Sequence, residues 1–266
     1  MRQRENKRIV VNMGTPDFEI EYKIIEPEPI LSHFVERFYM VKNPSDSDKE
    51  VVLIPDGRID LFFSTNETKQ FNCTLIGLET QPSTAFFPAK STFLGVSLKL
   101  LSVEYILNTS ISDILNTAKD LPIDFWDFTQ DDFNNFEGFC TKISNKIKAC
   151  IHPKIDVRKQ KLINLIYETY GSLTIKEYAE KTFWTERQIN RYFNQFFGLS
   201  LKLFCNILRF KASFKHIKHG ILYPEQNYSD QAHFIREVKK LTKVTPKELF
   251  KNKNDRFVQF STLKTR

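Results

Sequence analysis

Between Glu186 and Phe197 the chain reads ERQINRYFNQFF, and its polar residues are of the kinds that bond to the edges of nucleic-acid bases. An arginine can make two bonds to guanine O6 and N7, and an asparagine or glutamine two to adenine. Arg187, Gln188, Asn190, Arg191 and Asn194 fall on the outward face of a helix whose inward positions are Ile189, Phe193 and Phe196. The first two turns matter most, because that end of a reading helix enters the major groove of a duplex. Just ahead, Thr174–Lys181 predicts a shorter helix with Ile175, Tyr178 and Ala179 turned inward, and Thr182-Phe183-Trp184 predicts the turn. Ala179 is small enough to let the two helices cross closely, so residues 174–197 are expected to form a helix-turn-helix unit.

The elements that position this face are marked by their caps. Thr174-Ile175-Lys176-Glu177, Thr185-Glu186-Arg187-Gln188 and Thr245-Pro246-Lys247-Glu248 are capping boxes, the last with proline at the first helical position. Val157–Tyr170 carries Leu162, Ile163, Ile166 and Tyr170 on one face and ends at Gly171. Gly198 closes the helix that Thr185 opens. Ser200 then starts a long helix, Leu201 to about His219, which Gly220 stops. Beyond it, NYSDQAHFIREVKKLTKVTPKEL (Asn227–Leu249) predicts a second, strongly basic helical unit.

Charge separates the two halves. Met1–Ile151 holds 16 Lys and Arg against 22 Asp and Glu, a net of −6; His152–Arg266 holds 23 against 10, a net of +13. A basic helical half beside an acidic half points to a polyanion partner for the former, double-stranded DNA above all. The chain of 266 residues is long enough for two domains, expected over 1–151 and 152–266.

The first half predicts short strands over Val35–Val41, Val51–Ile54, Ile59–Ser64, Cys73–Leu78 and Phe93–Lys99. They are separated by turn clusters such as Asn43-Pro44-Ser45-Asp46 and Thr65-Asn66-Glu67-Thr68. Evenly spaced strands suggest a small barrel or sandwich, cupin-like in outline. Flanking helices are expected from Val103, Ile106, Leu107, Ile111, Ile114 and Leu115, and from Phe133, Phe136, Phe139, Cys140 and Ile143. The fold class is therefore α+β: a small β-barrel or sandwich with flanking helices, then an all-α domain. Pro55-Asp56-Gly57 predicts a tight turn, Gly57 supplying positive φ. Asp56, Arg58 and Asp60 are read first as a solvated hairpin and second as polar groups of an apolar effector pocket.

Other chemistries find little support. No G-x-S-x-G, P-loop or dinucleotide fingerprint occurs. Cys73 and Cys140 lack the electropositive setting that makes a reactive thiol, and the four cysteines form no CxxC pair, which suits a reducing compartment. Asp127, Asp131 and Asp132 are read as helix-start charges. His33 stands alone before His152, and His216 and His219 are assigned to the helix dipole, so neither metal nor cofactor is expected. The charged N-terminus has no apolar signal core and no run could span a bilayer, so a cytoplasmic protein without a membrane partner is expected.

Residues from Leu173 to about Lys251 resemble the DNA-binding domain of the AraC/XylS transcription regulators. The first unit is LTIKEYAEKTFWTERQINRYFNQFFGLSLKLF. LRFKASFKHIK is similar to the family's R-L-x-x-A joining helix, and YSDQAHFIREVKKLTKVTPKEL to its D-Q-S-H-F-x-R-x-F-K-K signature. PDGRIDLFF also looks like a β-rich sensor-like module often found ahead of this domain. The resemblance implies two helix-turn-helix units, about 174–197 and 221–242, joined by a helix over about 201–219. It places base-reading positions on Arg187, Asn190 and Arg191 and on Gln231, His233 and Arg236. A non-reading alternative at His233 is that its ring caps or packs the helix. Lys239, Lys240, Lys243 and Lys247 are assigned to phosphates or to solvent. A small-molecule effector, RNA polymerase and a second copy of the chain are further expected partners, and no enzyme activity is expected. Two departures stand out. The segment His219–Gln226, with Pro224, replaces the first helix of the second unit, and Asn227 and Lys243 stand where glycine is usual. The second unit is thus expected to be partial. A protein-interaction or non-specific DNA-binding module is the competing reading.

Overall fold

The computed structural model describes residues 8–13, 20–65, 71–122, 124–223, 228–252 and 256–262. The turn cluster at 65–68 beyond Thr65, and the reading of Pro224 and Asn227, lie outside the described residues.

Among its described residues the first half carries nine strands: β1 (Arg8–Met13), β2 (Ile20–Ile25), β3 (Val35–Lys42), β4 (Lys49–Leu53), β5 (Ile59–Thr65), β6 (Phe71–Ile76), β7 (Ser83–Phe87), β8 (Thr92–Leu98) and β9 (Ala118–Asp120). Seven form one antiparallel sheet in the order β1-β2-β3-β8-β5-β6-β9, while β4 and β7 pair as a separate ribbon. Every residue of β8 after Thr92 is buried, as expected of a strand flanked on both sides. Gly95 in its middle admits the Tyr39 ring, which an added Cβ would meet at 2.1 Å. Five of the strands match the sequence expectation to within two or three residues at each end; β1, β2, β7 and β9 were not expected.

The helical expectation after Leu101 is corrected. Only α1 (Leu101–Tyr105) and a 3-10 turn, Ser112–Ile114, form there. Asn108 takes a positive φ of 49° and breaks the run, and Ile111 N–H is drawn to a distant carbonyl instead. Phe133 lies in a 3-10 turn opened by a Thr129–Asp132 capping box, and α2 (Phe136–Cys150) starts afresh with Asn135 as its cap.

The second half is helical: α3 (Val157–Glu168), α4 (Ile175–Thr182), α5 (Glu186–Phe197), α6 (Leu201–Lys218), α7 (Gln231–Thr242), α8 (Pro246–Lys251) and the short α9 (Val258–Ser261). The chain is thus α+β, with a β-rich first part and helices after it. No helix among the described residues is long and apolar enough to cross a membrane.

One apolar core runs through both parts. Phe38, Leu61, Phe63 and Val96 of the sheet join Phe139 and Ile143 of α2 and, onward, Ile163, Tyr178, Phe193 and Phe204. A second cluster joins Phe210 and Phe214 of α6 and Phe234 and Val238 of α7 to Phe257, Phe260 and Ile54. Burying each such side chain contributes about 1.5–3 kcal/mol. Ile54 and Gly57 therefore touch the helical part directly. The connection Ile54–Arg58 is not a hairpin, since β4 and β5 belong to different sheets. It crosses from ribbon to sheet and packs Gly57, at φ 74°, onto Phe204 and Leu208 of α6.

The chain's end also returns to the first half. Residues Arg256–Thr262 form a strap: Val52 N–H donates to Arg256 O at 2.7 Å, and Ile54 N–H to Gln259 Oε1 at 2.9 Å. On its other side Phe260 packs edge-on against Phe214, and Lys218 donates to the Phe260 and Ser261 carbonyls.

Candidate nucleic-acid interface and effector cavity

The first helix-turn-helix is fixed at both starts by reciprocal caps. Thr174 Oγ1 accepts from Glu177 N–H at 3.2 Å while Glu177 Oε2 accepts from Thr174 N–H at 2.7 Å. Those bonds hold the exposed Glu177 carboxyl below its ordinary range. Thr185 and Gln188 repeat the arrangement at the start of α5. Between the helices Phe183 takes a left-handed φ of 58° and stays exposed, with Lys161 over its ring. Tyr178, Ala179, Ile189 and Phe193 are buried as expected; Ile175 and Phe196 are partly so.

Opposite that buried face, Arg187, Gln188, Arg191 and Asn194 are exposed and Asn190 is half-buried. Gln188 has its Oε1 committed to the cap, which leaves only its amide N–H groups for another partner. The far end of α5 is tied to the first half of the chain. Ile111 N–H donates to Phe196 O at 2.9 Å, Ser110 Oγ donates to Gln195 O at 2.8 Å, and Tyr192 Oη donates to Glu104 Oε2 at 3.3 Å. The helix C-terminus is thus capped by another part of the chain while its N-terminal turns face outward.

The second unit is less complete. Among the described residues 219–223 and 228–230 no helix forms. Asp230 caps α7 by accepting His233 N–H at 2.7 Å, and His233 N–H donation and Arg236 hold that carboxyl below its ordinary range. The His233 ring is engaged at home: Nδ1 lies 3.2 Å from Ser229 Oγ, and the ring meets Tyr228 edge-on at 5.5 Å. Tyr228 in turn packs on Phe234, and burial pushes its hydroxyl up to about 12. Gln231, Arg236, Lys239 and Lys240 are exposed. Lys243 adopts the left-handed φ of 62° that a glycine would take there, so the turn survives with a side chain in place. His219 Nδ1 lies 2.7 Å from Lys215 O, at the end of α6.

Asp56, Arg58 and Asp60 do not form a solvated hairpin. Asp56 and Arg58 are 7% and 9% exposed and face a cavity of about 210 Å³ between sheet and ribbon. The ribbon folds over the sheet, which removes this turn from water. Arg58 pairs with Asp56 and, at 3.4 Å, with Glu36. Ser97 Oγ donates to Asp60 at 2.7 Å. Glu79, raised by burial, accepts from Ser83 at 2.5 Å, and burial also raises the Tyr22 and Tyr39 hydroxyls. Phe62, Phe87 and Phe93 supply the apolar wall, and Val258 and Gln259 of the strap complete it. Arg37 was not singled out from the sequence. A register shift in β3 between Val35 and Arg37 breaks the in-out alternation, so period-two reading misplaces it.

Glu36 also links the cavity wall to the helices. Lys211 of α6 lies 2.8 Å from it. Burial opposes charge on Glu36, but Lys211, Arg58 and Arg37 outweigh it and hold the carboxyl well below the usual range. Burial brings Lys211 down to about 8, against the pull of Glu36. Burial pushes the Cys73 and Cys205 thiols up to about 12 and raises Cys140 as well, away from the thiolate form.

Residues 23–120 match a family described as a domain of unknown function, DUF6597. This span runs from within β2 through β9, the ribbon and the sheet apart from β1 and the start of β2. Among curated proteins none matches the sequence. Among solved structures the chain is similar to ToxT from Vibrio cholerae. One ToxT structure shows 14% identity over 92% of this chain and 98% of that chain, with a TM-score of 0.39. ToxT from strain O395 gives 11% identity over 92% and 96%, with a TM-score of 0.38. ToxT bound to (E)-4-(8-methylnaphthalen-1-yl)but-3-enoic acid gives 12% identity over 97% and 100%, with a TM-score of 0.39. At these scores the likeness says nothing about activity, and function rests on the chain's own residues.

Proposed function

We propose that the chain is a sequence-specific DNA-binding transcription regulator of the AraC/XylS type, governed by a small molecule in the sheet-ribbon cavity. The observation that carries this reading is α5. It is boxed at its start, anchored at its end, and exposes Arg187, Arg191 and Asn194 opposite a buried Ile189–Phe193 face. Arginine and asparagine in the first turns of such a helix are suited to base edges, and the net +13 of the second half supplies the field that draws a duplex in. The division of labour at 151/152 falls in the connection between α2 and α3 and belongs to the same proposal.

In this reading α5 is the principal reader. α7 contributes Gln231 and Arg236, with Lys239 and Lys240 toward phosphates, while His233 fixes the start of its helix. The competing reading, a basic module that no longer reads sequence, draws on the lack of a helix among the described residues 219–223 and 228–230 before α7. Selection from a random duplex pool separates the two. An enriched motif bound about a thousandfold tighter than a scrambled control supports the regulator. Steep salt dependence without enrichment refutes it in favour of the basic module.

A further inference from the structure

The cavity has an uneven balance of hydrogen-bonding capacity. Its acids already have partners: Asp56 is ion-paired with Arg58, and Asp60 and Glu79 accept from Ser97 and Ser83. Three donors do not. Arg37 lies over the Tyr22 ring at 5.7 Å, and its Nε is buried with no partner. Arg58 Nε is buried without a partner as well, but its two amino groups are already held by Asp56 and Glu36. Gln259 has its amide oxygen fixed by Ile54 N–H, so its amide nitrogen is the end left for the cavity it lines. Buried donors without acceptors are costly and are usually matched by a ligand or water.

Arg37 and Gln259 come from distant parts of the chain. Arg37 stands on β3. Gln259 stands on the strap, in the same segment as Phe257 and Phe260, which pack in one cluster with Phe214, Phe234 and Val238 beneath α7. Val258, next to Gln259, belongs instead to the cluster of Tyr22, Tyr39 and Phe93 that walls the cavity. Phe257 and Phe260, three positions apart, therefore face the second helical unit, while Val258 and Gln259 between them face the cavity.

We infer that the strap is the element through which the cavity acts on α7: a ligand with an aromatic or aliphatic body and an acceptor head, such as a carboxylate, bridges Arg37 and Gln259 and holds the strap seated. This rests on the effector-cavity reading above and adds to it a route and a ligand chemistry. Without ligand, the strap keeps its ties to the Val52 and Ile54 amides and the Lys218 contacts, and opens more readily. With ligand, Val258 and Gln259 gain a partner that spans both halves, and α7 and α8 are fixed against the sheet.

The full chain is titrated with 8-anilinonaphthalene-1-sulfonate, an aromatic anion, by fluorescence, and amide exchange of residues 256–262 is followed with and without it. Saturable one-site binding is expected. Arg37→Gln weakens it about tenfold or more, as the loss of a charge-assisted bond requires. Gln259→Glu keeps the acceptor for Ile54 N–H but removes the donor and adds a like charge, and weakens binding at least as much. Both variants should melt within a few degrees of the parent. Exchange in the strap slows about tenfold on binding; this arm uses the parent chain and does not depend on a variant folding. Absence of saturable binding, or affinity unchanged in both variants, overturns the ligand chemistry. Arg37-dependent binding with unchanged strap exchange overturns the strap as the route while leaving the cavity reading intact. DNA selection, run separately, tests the regulator reading without reference to either outcome.

Discussion

Gly57 sits where the cavity wall meets α6, and Gly57→Ala tests how rigid that meeting is. An added Cβ would lie 2.9 Å from Leu208 Cδ2 and 3.2 Å from Phe204 Cε2, at a backbone φ of 74°. The left-handed conformation costs an alanine about 1–2 kcal/mol. The loss of unfolded-chain freedom returns about 0.4–1 kcal/mol. Forcing a methyl into the packed joint adds about 1–3 kcal/mol, with the lower end more apt because Leu208 presents a side-chain methyl rather than backbone. The net destabilisation is about 2–3 kcal/mol, or roughly 4–12 °C in melting temperature for a chain of this size. Urea denaturation of the parent, Gly57→Ala, Leu208→Ala and the double variant forms a cycle. Leu208→Ala alone should cost about 2–5 kcal/mol. Because truncating Leu208 makes room for the new methyl but leaves the strained φ, the double variant should fall short of the sum by about 1 kcal/mol. A cost for Gly57→Ala under about 1 kcal/mol, or a cycle additive within about 0.5 kcal/mol, would refute the idea that this turn is held rigidly against α6.

Arg191→Ala should weaken binding to the selected duplex by about 5–150-fold while barely affecting a scrambled one, and Arg236→Ala should weaken it less; equal losses in anisotropy titrations would sink that ranking. Lys243→Gly relieves a left-handed φ of 62° at the end of α7 and should stabilise the chain by about 0.5–1 kcal/mol, seen as a rise in melting temperature. Glu36→Gln should lower stability near neutral pH. A carboxyl whose folded value is depressed contributes above its unfolded value of about 4.3 and loses that contribution as pH falls through the folded one. The parent should therefore lose stability relative to the variant on acidification below about pH 4, and parallel urea midpoints across that range would count against the Glu36–Lys211 tie.

The helical half was the more legible part of the sequence because its signals are local. Thr174, Thr185 and Thr245 open helices through bonds to residues three positions on, so the string of letters carries both partners. The first half depends on partners far away. Ser110 and Ile111 abandon the helical period to reach the end of α5, and the ribbon of β4 and β7 turns a turn that reads as solvated into a cavity wall. Of the candidate site, the outward face of α5 followed from periodicity. The local engagement of His233 depends on Tyr228 and Ser229, which no helical pattern points to. Arg37 was hidden by a bulge, and Gln259 by a contact spanning 205 positions of chain.

That last separation has a consequence for how the protein comes into being. The amides of Val52 and Ile54 find their acceptors in Arg256 and Gln259, the latter 205 positions after Ile54 in the chain. At about 5–20 residues per second, β4 waits on the order of 10–40 s on the ribosome with that edge open. Long-range closures of this kind are also slow to search out once the chain is free. Throughout that interval the nascent first half presents an unpaired strand edge, a surface prone to stray pairing with other chains. Production by slow release, or from a template cut short before the strap, should therefore favour aggregates over folded monomers.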